Sequence, residues 1–558
     1  MPRFSHLVAL LACAASTVGV AARKPTLEER GIPKDATGVR TISSPQGATI
    51  RFKQPGKEGI CETTEGVDDY SGYISLDNNT NMFFWFFEAR ENPSEKPLTL
   101  WLNGGPGSDS LIGLFQEHGP CNVTEELKTQ LNPYSWNEAS NMLYLSQPVG
   151  VGFSYETTKT TEDGRFHFVD QNKANTTDFA AVGAWNVLQA FLELSPQLDP
   201  DIQNFTFNLW TESYGGHYGP SFYNYFYQQN EAIRNKSISG VELQMDTLGI
   251  INGIVDEEIQ APYYPEFAIN NTYGIKAINE SVYFAMKFAY EVADGCHDQI
   301  KACKATNRTS ANDYLVCASA AGTCRSMVEE PYYAVSGRGV YDIRHPYDDP
   351  TPPEFFGDFL NLADTQNKIG VNINYTDDGY SQEVGWGFQS TGDFIFPNFI
   401  EDLEEILGYG VRVALIYGDA DYICNWFGGE AVSLAINYTD SEAFRAAGYT
   451  PFVVDGTEYG EVREYGNFSF TRIYEAGHEI PYYQPEASLE IFKRVLEHRV
   501  IADGGSIVTD DYSTNGTAKA THTEPYVPLP ESTSSGVAVA SASANVAARR
   551  SPLRKRVW

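Results

Sequence analysis

Between Phe205 and Arg234 the hydrophobic pattern changes its period, and that change constrains the fold more than any other feature. In NFTFNLW (204–210), Phe205, Phe207 and Leu209 alternate with other residues, as in a strand. SFYNYFYQQNEAIR (221–234) is long and apolar on one side, as in a helix. Between them lies TESYGGHYGP (211–220), a sharp turn with a serine at its corner and two glycines just behind. Such a serine is either a nucleophile or part of a tight turn, and the rest of the chain has to decide between them.

The same alternation recurs along the chain. Strand-like runs are NMFFWFFEAR (81–90), PLTLWLNGG (97–105), TLGIINGIV (247–255), VRVALIYGD (411–419) and NFSFTRIYEAG (467–477). Helical patterns occupy 177–198, with Asp178 near the start and Pro196 near the end, and 399–410. Strands alternating with helices predict an α/β fold: a mostly parallel sheet with helices on both faces. Residues 257–395 are less regular and hold four of the cysteines, which predicts an inserted cap over one end of the sheet. Residues 23–55 read as a propeptide or an N-terminal arm, and 56–502 as the catalytic domain. Residues 503–558 are rich in Ser, Thr, Ala and Gly and read as a disordered tail. Its dibasic pairs, Arg549–Arg550 and Lys555–Arg556, are candidate processing sites.

The first 22 residues have one basic residue, an apolar run and then small residues, the pattern of a secretory signal cleaved near Ala22. That run is too short to span a membrane, and no other candidate span is present. Twelve Asn-x-Ser/Thr sequons, at Asn78, Asn122, Asn175, Asn204, Asn235, Asn270, Asn279, Asn307, Asn374, Asn437, Asn467 and Asn515, point to N-linked glycans. The predicted destination is extracellular, with an acidic vacuole or lysosome reached through the same entry signal. Of eight cysteines, Cys13 falls in the signal, and the odd number left implies one free thiol. Cys296, Cys303, Cys317 and Cys324 fit nested bridges 296–324 and 303–317, which leaves Cys424 unpaired, although the sequence alone does not fix this connectivity. The spacings are not zinc knuckles, and secretion favours disulfides. The net charge of −34 excludes nucleic acid as a natural partner and favours an acidic environment, where self-repulsion falls.

A serine hydroxyl needs a base, an acid to orient that base, and donors for the oxyanion. On an α/β-hydrolase sheet these follow in the order Ser, acid, His. After Ser213 the chain offers Asp419 or Asp421 in IYGDADYICN (416–425) and His478 in YEAGHEIPYYQP (474–485), each behind a predicted strand. Strand carboxyl ends are where such folds build sites. WLNGGPGSDS (101–110) supplies glycine N–H groups for an oxyanion, ahead of a predicted helix at 110–120. Each element also has a bland reading: a structural turn, a surface histidine, a capping aspartate. Thr211 stands where G-x-S-x-G has its first glycine.

WLNGGPGS, QPVGVGFSY (147–155), TESYGGHYGP, GDADYICNW (418–426) and AGHEIPYYQP (476–485) stand in order, with comparable spacing, over about residues 60–495. Together they resemble the serine carboxypeptidase family, and its secreted fungal-type branch in particular. The resemblance implies Ser213 as nucleophile, His478 as general acid and base, and Asp421 as the acid that orients it. It implies an oxyanion hole at the N–H groups of Gly105 and Tyr214. It implies recognition of a substrate's terminal carboxylate by Asn103, Glu117 and Glu212, with peptide and protein C-termini as substrates. No cofactor or metal is implied, and no histidine has the glutamate three residues on that a metal-dependent carboxypeptidase uses. Cys424 matches a free cysteine near the family's site. Glu479 matches a position near the leaving residue, which implies a preference for a basic C-terminal residue. The family's GPGCSS reads GPGSDS here, so the disulfide made at that point in relatives is absent, and Cys61–Cys121 is expected to brace the region instead. An esterase, lipase or acyltransferase with the same triad, or a non-catalytic glycoprotein, are the alternative functions.

Overall fold

The computed structural model describes residues 33–44, 47–77, 79–156, 175–376 and 378–529. The expected signal sequence (1–22), the start of the arm and the dibasic pairs lie outside the described residues.

Fifteen strands are present among the described residues: β1 (Arg40–Ser43), β2 (Thr49–Lys53), β3 (Asp69–Ser75), β4 (Thr80–Phe87), β5 (Leu98–Leu102), β6 (Cys121–Val123), β7 (Thr129–Leu131), β8 (Asn141–Leu145), β9 (Tyr155–Glu156), β10 (Thr206–Glu212), β11 (Gln244–Ile251), β12 (Arg412–Gly418), β13 (Thr450–Val454), β14 (Thr457–Tyr465) and β15 (Phe468–Ile473). One sheet runs β1-β2-β3-β4-β8-β5-β10-β11-β12-β15-β14-β13, with β9 on β4, while β6 and β7 form a separate ribbon. The six central strands, β8 to β15, are parallel, and antiparallel strands extend both edges.

Side chains on the central strands alternate between two apolar cores. Leu98, Leu100, Leu102, Phe207, Leu209, Val413 and Leu415 face one. Trp101, Trp210, Ala414 and Ile416 face the other. The first core is closed by α1 (Thr177–Leu198) and α2 (Gly215–Arg234), the second by the helix Pro485–Leu496. Both faces are therefore dry, and this is why β5 and β12 are buried along their whole length. Burying a leucine such as Leu209 contributes roughly 1.5–3 kcal/mol. The architecture is the predicted α/β-hydrolase fold.

Between β11 and β12 the described residues add no strand to the sheet. They form a helical excursion whose helices Cys296–Lys304 and Ala311–Cys324 are joined by the bridges Cys296–Cys324 and Cys303–Cys317. Cys61–Cys121 is the third disulfide, and Cys424 is free and buried.

Three boundaries differ from the expectation. The sheet begins at Arg40, inside the stretch read as an arm, because β1 and β2 continue it antiparallel to β3. Residues 503–529 are an ordered strap rather than a disordered tail. Tyr449 and Thr517 exchange backbone bonds, His522 stacks 3.6 Å from Tyr474, and Arg338 Nη2 donates to Val527 O at 2.9 Å. Composition misses the strap because its partners are distant in sequence. The predicted helix at 110–120 reduces to a wide π-type turn, Gly113–Glu117, buried throughout, in which the Gly113 N–H goes to the Asn103 side chain at 2.9 Å.

Candidate active site

β10 ends at Glu212 and α2 begins at Gly215, so Ser213 takes the corner alone with φ 64°, in the left-handed region. A non-glycine residue there is strained and persists only where its surroundings hold it. The Ser213 N–H donates to Ile251 O at 3.0 Å, and its carbonyl accepts from Gly216 N at 2.9 Å and Ile254 N at 2.8 Å. The glycines behind it are required by contact: a Cβ on Gly216 would lie 2.2 Å from Ile254 O. Thr211, the departure from the usual glycine, fits because its hydroxyl donates to Gly215 O at 2.8 Å.

Asp421 follows β12 and His478 follows β15, a neighbouring parallel strand. His478 Nδ1 lies 2.6 Å from Asp421 Oδ2, and both residues are buried. A proton on Nδ1 leaves Nε2 as the basic nitrogen. The His478 backbone N–H is fixed on Tyr341 O at 2.8 Å. Asp419, the competing acid, is held elsewhere, accepting from the Tyr273 hydroxyl at 2.7 Å with Arg472 3.7 Å away. The Cys424 thiol lies within 4.8 Å of both the Asp421 carboxylate and the His478 ring, and the nearby Ser213 hydroxyl acts on the same thiol, favouring its thiolate. Burial, then Asp421, push the thiol well above its ordinary range, which keeps it protonated. Asp421, Cys424 and His478 are close enough to surround an ion, but the acid and the imidazole are bonded to each other and the thiol keeps its proton.

The glycine loop presses on this corner. A Cβ on Gly104 would lie 2.3 Å from Tyr214 N and 2.9 Å from Ser213 Cβ. Gly105 has φ 104°, which glycine adopts without penalty. The loop is tied to the excursion by Asp109 N to Gly379 O and Ser381 N to Gly107 O, both 2.8 Å. Asp109 is buried, accepts from the Tyr375 hydroxyl at 2.8 Å, and occupies the space that a Cβ on Gly152 of QPVGVGFSY would fill.

Next to Ser213 three polar side chains meet in the dry interior. Asn103 Nδ2 donates to Glu117 Oε1 and to Glu212 Oε1, each at 3.1 Å. Asn103 Oδ1 is fixed by Trp101 Nε1 at 2.7 Å and Gly113 N at 2.9 Å, which aims its amide at the two acids. Burial, followed by Glu117, pushes Glu212 well above the usual carboxyl range, and burial raises Glu117 as well. Two touching carboxyls cannot both ionise easily, so the pair retains a proton. Glu479 is pushed up by burial and by Glu117 and Glu354.

Asn252 was not anticipated. It follows β11, its Nδ2 donates to Asp421 Oδ2 at 2.6 Å, and its Oδ1 accepts from Gly418 N at 3.0 Å. The sequence reading put Asn252 inside the strand-like run 247–255, whereas β11 ends at Ile251 and leaves it at the strand's carboxyl end.

The fold and this constellation define an α/β hydrolase with a Ser-Asp-His grouping at the carboxyl ends of its strands. The family model described as serine carboxypeptidase matches residues 55–498. The chain is 41% identical over 578 residues to Carboxypeptidase S1 homolog A of Arthroderma otae, with 94% of this chain and 87% of that protein covered. It is 40% identical over 449 residues to Carboxypeptidase S1 of Penicillium janthinellum, covering 80% of this chain and 98% of that one. Among solved structures, Kex1(delta)p, a prohormone-processing carboxypeptidase from Saccharomyces cerevisiae, superposes with a TM-score of 0.62 at 22% identity, over 82% of this chain and 96% of that chain, a likeness of fold. The chain belongs to the serine carboxypeptidase family.

Proposed function

We propose that the protein removes single residues from peptide and protein C-termini in acid, through an acyl-enzyme intermediate, with Ser213 as nucleophile. His478 Nε2 takes the serine proton, and Asp421 steadies the imidazolium that results. The N–H groups of Gly105 and Tyr214 receive the oxyanion. His478 then protonates the leaving amino acid and activates the water that releases the acyl group. The arrangement of Asn103, Glu117 and Glu212 beside Ser213 carries this reading. A neutral carboxyl and an amide can both donate to a substrate's terminal carboxylate, and two ionised glutamates would repel it. An esterase or acyltransferase has no need of such a donor set.

The experiment incubates wild type and Ser213→Ala with an N-blocked peptide, its C-terminal amide and a simple ester, from about pH 4 to about 8, with products read by mass. Stepwise loss of C-terminal residues from the free acid, strongest in acid and absent in the mutant, is the expected result. Ester cleavage with the peptide untouched would overturn the exopeptidase reading, and no Ser213-dependent product would favour a binding glycoprotein. Secretion is supported by the N-terminal segment and the disulfides, and among the described residues no helix is long and apolar enough to cross a membrane. N-glycosylation is proposed at the sequons other than Asn374, which is 5% exposed and accepts from Gln366 Nε2 at 3.1 Å.

A further inference from the structure

The ring of Tyr214, the residue after the nucleophile, is anchored from outside the turn. Its hydroxyl donates to Asp393 Oδ2 at 2.5 Å. The same carboxylate accepts the Thr177 hydroxyl on Oδ2 at 2.5 Å and the Thr177 backbone N–H on Oδ1 at 3.0 Å. Asp393 lies between the helices Gln382–Thr391 and Asn398–Gly408, where the chain returns from the excursion, and Thr177 opens α1. One carboxyl thus joins the excursion, the first turn of α1 and the turn that bears Ser213. The ring is also clamped laterally: it stacks on His217 at 4.3 Å and meets Phe394 edge-on at 4.6 Å. His217 is fixed in turn by Ile254 O, 2.6 Å from its Nδ1.

The direction of the Tyr214 N–H depends on the backbone of Ser213 and Tyr214, and Ser213 sits at a strained φ of 64°. A strained corner holds only if its neighbours over-determine it. The glycine loop and Ile254 constrain its backbone, and Asp393 constrains the side chain one residue on. Burial pushes the Asp393 carboxyl up to about 7, and either protonation state keeps lone pairs for the Tyr214 hydroxyl. Asp393 is fully buried, so it acts through Tyr214 and not on a substrate.

We propose that Asp393 is a positioning residue for catalysis: through the Tyr214 hydroxyl it holds the Tyr214 N–H in the orientation that the oxyanion requires. This rests on the roles proposed above for Ser213 and Tyr214.

The test compares Asp393→Asn, Asp393→Ala, Tyr214→Phe and the double variant Asp393→Ala/Tyr214→Phe with wild type, with active sites counted by exhaustive labelling with a fluorophosphonate. In Asp393→Ala and Tyr214→Phe, kcat per labelled site on an N-blocked peptide is expected to fall about tenfold with KM within about twofold, the signature of an interaction made in the transition state. Ki for a peptide aldehyde, which forms a tetrahedral adduct on the serine, is expected to weaken in proportion to kcat. Asp393→Asn keeps a carbonyl acceptor and is expected to retain most of the rate. The double variant is expected to be no slower than the slower single one. A role in folding alone would lower Tm and the labelled fraction but leave kcat per site and the aldehyde Ki unchanged, and that result overturns the proposal, as does additivity in the double variant. Tyr214→Phe removes one atom and carries the test if Asp393→Ala does not fold. Wild type lacking Ser213-dependent turnover would overturn the catalytic reading itself, and this inference with it. Unchanged variants of an active wild type overturn the inference alone.

Discussion

Glu117 and Glu212 meet side by side in the interior, each with Oε1 3.1 Å from the same Asn103 Nδ2. Burial raises both carboxyls, and Glu117 raises Glu212 further. If the pair's proton is the donor for a substrate carboxylate, binding weakens as pH rises and the pair ionises. Glu212→Gln replaces the titrating donor with a permanent one. The rise of KM with pH for a peptide acid is then expected to be shallower than in wild type, while hydrolysis of the C-terminal amide changes little. Asn103→Ala is expected to raise KM for the peptide acid roughly 10- to 100-fold, the size of a lost hydrogen bond to a charged group, and steady-state kinetics on acid and amide substrates read both effects.

Stability is expected to be greater in acid than at neutral pH. Burial raises Asp69 and Asp393 to about 7, Asp109 and Asp419 to about 6, and Glu88 to about 8, with Glu212 also well above its ordinary value. A carboxyl whose folded pKa is raised gives stability that is complete below its ordinary value, near 4, and is lost as pH rises through the folded value. The window of loss is therefore about pH 4 to about 8. His118 and His217, buried neutral and lowered, act in the opposite direction below about 6.5, but they are fewer. Thermal melts are expected to give a higher Tm near pH 5 than near pH 8, and a flat or inverted profile would show that the buried acids do not titrate in this range.

The contact between the glycine loop and the nucleophile turn leaves no room for a methyl group. Gly104→Ala would place Cβ 2.3 Å from Tyr214 N and 2.6 Å from Glu212 O, both backbone atoms that cannot swing aside. A fall in kcat of about 100-fold is expected from the displaced corner. Gly183→Ala on α1 is the control: its Cβ would meet nothing within 4 Å, and it is expected to keep full activity.

Asn252 Nδ2 donates to Asp421 Oδ2, the same oxygen that meets His478 Nδ1, each at 2.6 Å. Asn252→Ala is expected to lower kcat about tenfold with little change in KM, because the acid that orients His478 loses its own anchor. A KM effect without a kcat effect would assign Asn252 to substrate binding instead.

Cys424 is buried and held as a thiol, within 4.8 Å of the Asp421 carboxylate and the His478 ring. Iodoacetamide is expected to react slowly with the folded protein, because the thiolate is scarce. A compact thiophilic mercurial is expected to inactivate it by crowding Ser213, and Cys424→Ala is expected to keep activity and lose that sensitivity. Mercurial inactivation that persists in Cys424→Ala would place the effect at another site.

Much of this molecule could be read along the chain. The two-residue period of 204–210 and the helical pattern at 177–198 became β10 and α1, because strands buried on both faces and amphipathic helices leave local signatures. The turn at 211–220 and the motifs behind β12 and β15 marked Ser213, Asp421 and His478 for the same reason: strand carboxyl ends are fixed by local pattern. Asp419 against Asp421 was undecided by spacing alone. The contacts of Tyr273 and Arg472 with Asp419 separate them, and both partners lie far off in sequence.

The sequence by itself determined β4, β5, β10, β11, β12 and β15 with the helices α1 and α2, the serine corner with its glycines, and the cysteines available for bridging, since these depend on residues a few positions apart. Only the tertiary structure decided that Gly113–Glu117 turns too widely for a regular helix, that residues 503–529 bind along the sheet and excursion, and that Asn252 bonds Asp421 and Asp393 bonds Tyr214. The last two outcomes depend on hydrogen bonds between segments distant in the chain, Arg338 to Val527, Asn252 to Asp421 and Tyr214 to Asp393, and the first on a side-chain bond from Asn103 to Gly113. Such bonds leave no period in the sequence, because the partner's place is set by how the layers pack and not by its neighbours along the chain.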